Sequence, residues 1–161
     1  AKEVWDFEGG KAWEAQGGQG AKGSDGVASA VKSTANSIGY VELSFAEDAG
    51  LSSAAIDNGN GPIEATSDNA AITISSATVK GTGNNLPLDI DRAATKGYPI
   101  VLVTYEITCE KGLSGADLDV TKSFLTYTAS ADGQAVLSAN GYVPISGDLL
   151  TKVQAAVAAI G

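Results

Sequence analysis

Tyr98-Pro99-Ile100-Val101-Leu102-Val103-Thr104-Tyr105-Glu106-Ile107-Thr108-Cys109 is the stretch that decides the fold. No other part of the chain is as long, as apolar and as rich in β-branched and aromatic residues. Residues 100–103 form an unbroken apolar run, the pattern of a strand covered on both faces. From Thr104 onward Tyr105 and Ile107 alternate with polar residues, as when one face nears water. Pro99 stands at the entrance, where a missing N–H is tolerated, and Lys111-Gly112 closes the stretch. A strand buried on both sides needs helices above and below it, so the stretch predicts an α/β fold; a plain sandwich strand is the alternative the same run permits.

Downstream, the spacing predicts three helices. Over 116–131, Val120, Phe124 and Tyr127 share one face, with Leu118 and Leu125 beside them. Residues 131–140 form a short helix ended by Asn140-Gly141. After the extended link Tyr142-Val143-Pro144-Ile145, Ser146 or Asp148 caps a last helix striped by Leu149, Leu150, Val153, Ala156, Val157 and Ile160.

Upstream, Trp5, Phe7 and Trp13 read as packing anchors, with a strand near 11–15. The Gly-rich loop 17–26 runs into a helix with Val27, Ala30 and Val31 on one face, capped by Ser24 or Asp25. Within that loop Gly20, Lys22, Gly23 and Ser24 are candidate anion-cradling residues, because backbone N–H groups at a helix start attract anions. The order of Lys22 and Gly23 does not fit a P-loop, and a simple turn and cap explains the same residues. Residues 37–43 read as a strand in which Gly39 permits close backbone approach, and a helical turn over 44–49 ends at Gly50. Residues 51–56 are a weak strand, 57–62 a turn, and 63–65 the return of a hairpin. That turn lacks the ligand spacing of a calcium loop. Residues 67–80 keep helical spacing, yet Ile72-Thr73-Ile74 and Thr78-Val79 favour a strand by propensity. Arg92, the only arginine, reads as a solvated charge paired with Asp89 or Asp91.

Composition narrows the function. With 161 residues, 43% of them hydrophobic and 18% charged, the chain reads as one soluble globular domain with a core of its own. No apolar run is long enough to cross a bilayer. A net charge of −9 argues against a nucleic-acid partner, whose phosphates call for clustered Lys and Arg. The absence of His removes the commonest general base and zinc ligand, and without a nucleophile–base pair the chain does not read as an enzyme. Cys109 is the only cysteine, so no intrachain disulfide or Cys-based metal site is available; it reads as a small buried hydrophobe. No metal or cofactor is implied. The chain begins at Ala1 with neither Met nor a signal peptide, which predicts a mature or processed piece.

Taken in order, the Gly-rich loop with Ile38-Gly39-Tyr40-Val41-Glu42, the stretch from Tyr98, and Ala139-Asn140-Gly141-Tyr142-Val143-Pro144-Ile145-Ser146 before the last helix carry a resemblance. Over nearly its whole length the chain resembles the C-terminal half of the phosphate-binding receptors of ABC-type phosphate importers. The resemblance implies a type II periplasmic-binding-protein-like fold with two lobes, incomplete in this chain, and phosphate held in the cleft. Residues 1–95 then form the later part of lobe two, and 96–161 the return segment of lobe one. It also selects the helix for 67–80. The implied partners are inorganic phosphate, an ABC permease and a complementary N-terminal half; the implied location is extracytoplasmic, lipid-anchored at the cell surface when full length, or secreted. The alternative is a stand-alone secreted interaction module of the same fold, with Trp5, Trp13 and Tyr142 in its contacts.

One departure bears on function. Such receptors grip phosphate with hydroxyls and an Asp early in lobe one, and with an Arg-Ser-Asp-x-Ser-Gly-Thr segment opening a helix in lobe two. Neither motif occurs here: Arg92 is followed by Ala93-Ala94-Thr95, and Ser24-Asp25-Gly26 aligns with a different loop. No phosphate ligand transfers by position, which places the direct ligands outside this chain.

Overall fold

The computed structural model describes residues 7, 10, 12–59 and 61–161. They fall into two compact units, Ala1–Leu51 and Ser52–Gly161. The fold is mixed α/β with short strands. No described helix is long and apolar enough to cross a membrane.

In the first unit α1 (Gly23–Ser33) packs on α2 (Leu43–Asp48), with Ala28 and Ala46 buried between them. Lys22 is the N-cap residue of α1 and no side chain caps the helix, so the expected cap by Ser24 or Asp25 is not made; both lie within the first turn. Val27, Ala30 and Val31 turn inward as their spacing requires. A Cβ on Gly39 would lie 2.8 Å from Val31 Cγ2 and 3.2 Å from Val27 Cγ1, so the close approach read from this glycine is real. The strand expected over 37–43 is not paired, however. Leu43 begins a helix, and Tyr40 is 92% exposed. Gly50, at φ 66°, ends α2 as expected. Residues 12–15 form no strand, and Trp13 is exposed rather than core, its indole lying against the Gly18 backbone. Trp5 and Lys11 lie outside the described residues.

The second unit opens with a hairpin, β1 (Ile56–Asp57) against β2 (Pro62–Ile63), in register Ile56 with Ile63. Asp57 closes its turn by accepting from the N–H groups of Gly59 and Gly61 at 2.8 and 3.0 Å. α3 (Ser67–Ser75) starts from Thr66, whose hydroxyl accepts the Asn69 N–H. β3 (Thr78–Val79) follows and pairs antiparallel with β4 (Leu88–Asp89). The ambiguous stretch 67–80 is therefore a helix as far as Ser75 and then a short strand: Ile72-Thr73-Ile74 are helical against their strand propensity, and Thr78-Val79 pair as theirs favours.

Three helices close the chain: α4 (Gly115–Thr128), α5 (Ala131–Ala139) and α6 (Gly147–Ala158), with α4 packed on both others. The stripe read on α6 faces inward, ending at buried Ile160. α4 presents a different face from the one expected. Leu118, Leu125 and Ala129 turn inward, while Val120, Phe124 and Tyr127 are exposed. The helix is apolar on two sides, and only one side has a layer to meet.

The C-terminus of α6 is held by cations. Lys122 Nζ donates to the carbonyls of Ile160 at 2.6 Å and Ala158 at 3.3 Å, and Lys111 Nζ to that of Ala159 at 3.0 Å. The Ala158 and Ala159 oxygens carry the negative end of the helix dipole, and that of Ile160 lies just past it. Lys122→Met is expected to lower unfolding stability by about 1 kcal/mol, read from the urea midpoint at unchanged slope.

The stretch from Tyr98 to Cys109 departs furthest from expectation. It belongs to no ladder, and among the described residues 100–109 make no backbone–backbone hydrogen bond. Pro99 is buried, but Leu102 is 88% and Ile107 94% exposed, and Ile100 and Cys109 are exposed too. The run has strand composition but no strand partner among the described residues. Nor do the described residues build the core that the chain's length led one to expect: apart from Pro99, the buried apolar side chains among them are Ala28, Ala46, Leu125, Ala129 and Ile160.

Candidate functional site

The Gly-rich loop brings Lys22, Gly23 and Ser24 together at the start of α1, with Gly20 two residues before. Gly20, Lys22 and Gly23 are exposed and Ser24 is half-buried. Asp25 stands in the same first turn, where its carboxylate already answers the positive end of the helix. An anion at this point would meet that carboxylate.

The denser polar cluster is in the second unit, and the sequence reading did not single it out. Thr73, on α3, is completely buried, and Thr95 nearly so. Their hydroxyls lie 3.0 Å apart. Thr73 Oγ1 also bonds the Tyr98 carbonyl at 2.8 Å, and Thr95 Oγ1 accepts the Gly97 N–H at 3.0 Å. Asn58, from the hairpin turn, donates to the carbonyls of Arg92 and Thr95. The Tyr98 N–H reaches the Asn69 carbonyl at 3.0 Å. The cluster therefore ties α3, the hairpin and the start of the apolar stretch together. A threonine between two isoleucines in a helix was the available signal, and apolar spacing alone passed over it.

Arg92 is not the solvated charge pair expected of it. Lys80 takes Asp89, at 3.2 Å, and Asp91 accepts from the N–H groups of Ala93 and Ala94. The guanidinium instead spans two carbonyls, donating from Nη1 to Pro99 at 2.6 Å and from Nη2 to Val101 at 3.0 Å. A forked donor suits two acceptors on the same side of a strand.

Recesses also open among the described residues of the second unit, and two of them carry polar groups. One, of about 280 Å³, is lined by Ile72, Ser76, Asp91, Ala94, Thr95 and Lys96. Its hydroxyls already bond the protein: Ser76 donates to Thr73, and Thr95 bonds as above. The other, of about 350 Å³, has Lys152 and Asn84 among its lining, and Asn84 donates to Glu110. A phosphate taken out of water needs many directed N–H and O–H donors together with paired charge. Neither recess supplies such a set.

The sequence motifs and the α/β elements define a class. The profile of the PBP superfamily domain matches residues 3–132, and the chain belongs to that superfamily. Its relatives are more particular. It is 41% identical to the phosphate-binding protein PstS 3 of Mycobacterium tuberculosis, over 98% of this chain and 44% of that protein. The corresponding protein of Mycobacterium leprae is also 41% identical, over 94% and 42% respectively. The phosphate-binding protein PstS 2 of M. tuberculosis is 34% identical, over 89% and 40%. The chain thus spans less than half the length of the curated relatives it matches. No solved structure matches it.

Proposed function

We propose that this chain is the rear half of an extracytoplasmic receptor that binds inorganic phosphate and hands it to an ABC permease. The relatives are phosphate-binding proteins by name. The observation that carries the reading is the apolar segment 100–107, which has the composition of an interior strand, pairs with no strand among the described residues and leaves Leu102 and Ile107 almost fully exposed. A sequence of this kind is stable only with a strand beside it and a layer above it. A complementary N-terminal half supplies both, and also the hydroxyl and Arg-Ser-Asp-type ligands missing here. In this reading residues 1–95 complete lobe two and 96–161 return to lobe one. Phosphate lies between the lobes and is bound without any covalent step. Gly20, Lys22, Gly23 and Ser24 have at most a secondary part in holding it, since Asp25 shares their turn. The full receptor is held at the cell surface by a lipid anchor or released.

Co-expression tests the pairing. This chain, tagged, is expected to carry its complementary N-terminal segment through purification in equal amounts. Recovery of the tagged chain without that segment counts against the reading.

A further inference from the structure

We propose that Arg92 is a positioning residue, which fixes the direction in which the chain leaves the buried Thr73–Thr95 cluster and so sets the angle at which the receptor's lobes meet phosphate. This inference rests on the receptor reading above. Up to Val101 the backbone is held firmly. Thr73 and Asn69 hold Tyr98 through its carbonyl and its N–H, and Arg92 holds the carbonyls of Pro99 and Val101. Beyond Val101 the holding stops. Among the described residues 102–109 make no backbone–backbone hydrogen bond, and Tyr105 is tied by its hydroxyl, which accepts the Leu88 N–H at 2.9 Å. On the receptor reading the chain crosses from lobe two to lobe one at residues 95–96, so the guanidinium of Arg92 clamps the first residues of the return segment from the lobe-two side of that crossing.

Two carbonyls held by one rigid fork define a direction, whereas one carbonyl held by one ammonium defines only a point. A fixed direction narrows the lobe orientations that closure must exclude, and that preorganisation appears as affinity. Arg92 is exposed, and its own ring of partners contains no ligand-binding motif, so its effect on phosphate is exerted through the backbone alone.

The test uses the complete receptor with inorganic phosphate, together with backbone relaxation on the 161-residue chain. Arg92→Gln is expected to raise the phosphate Kd about tenfold, the scale of one lost charge-assisted hydrogen bond. Arg92→Lys is expected not to restore it. Lys80→Gln, which breaks a nearby ion pair but touches neither carbonyl, should leave Kd unchanged. In the isolated chain, Arg92→Gln should lower the order parameter of Val101 from about 0.85 toward 0.6. An unchanged Val101 order parameter overturns the clamp. A lowered one with unchanged Kd, or a fall in melting temperature alone, overturns the positioning role. Full rescue by Lys does so as well. If the wild-type receptor does not bind phosphate at all, the receptor reading fails and takes this inference with it.

Discussion

Leu102→Asp is expected to leave the isolated chain as stable as before and to break the assembled receptor. Leu102 is 88% exposed, so a carboxylate there meets water and changes unfolding by no more than about 0.5 kcal/mol. In the assembled receptor proposed above the same side chain would be interior. Losing its apolar contacts and burying a charge in their place removes about 4 kcal/mol or more. The comparison needs two measurements: urea unfolding of the chain alone, and recovery of the complementary half by the tagged variant. Thr104→Asp serves as a milder control, because Thr104 is polar already and lies where the apolar run ends. Equal loss of stability in both settings would mean that Leu102 packs within this chain. No loss in either would mean that nothing covers it.

Gly97→Ala carries the second large effect, and it acts within the chain. A Cβ at this position would lie 2.6 Å from Thr73 Oγ1 and 2.7 Å from Thr73 N, with the Asn69 carbonyl oxygen nearer still. These are backbone and completely buried atoms, so the neighbour cannot swing aside. Relief requires moving α3 away from residues 95–98, which parts the Thr73–Thr95 contact and the bond from Thr73 to the Tyr98 carbonyl. The expected loss is about 3 kcal/mol, combining overpacking with broken buried hydrogen bonds. Gly20→Ala is the matched control, since no atom lies within 4 Å of the added methyl group and its effect should be near zero. Urea midpoints at unchanged slope report both.

What the sequence made legible is what depends on near neighbours. The inward face of α1, the close approach at Gly39, the hairpin around Asp57 and the stripe of α6 follow from spacing and turn chemistry within a few residues. The misses depend on what lies across the fold. The apolar stretch from Tyr98 has strand composition, but a strand exists only where another chain segment presents N–H and C=O groups to it. Val120, Phe124 and Tyr127 form a sound helical stripe, yet Leu118 and Leu125 won the layer available on the other side. Cys109 went with its strand to the surface. Arg92 was assigned to the nearest carboxylates in sequence, when backbone carbonyls several residues ahead offered a better fit to its fork. The buried threonines could not be found by apolar periodicity, because the cluster they form is polar. For the site, the motif reading identified what is missing more clearly than what is present.

On the receptor reading proposed above, phosphate is captured jointly by this chain and by a segment outside it. Calorimetric titration of inorganic phosphate tests this most directly, against the 161-residue chain alone and against the same chain joined with its complementary N-terminal half. The expected result is saturable binding heat for the joined protein and none for the chain alone. Tight, saturable phosphate binding by the chain alone would contradict the claim.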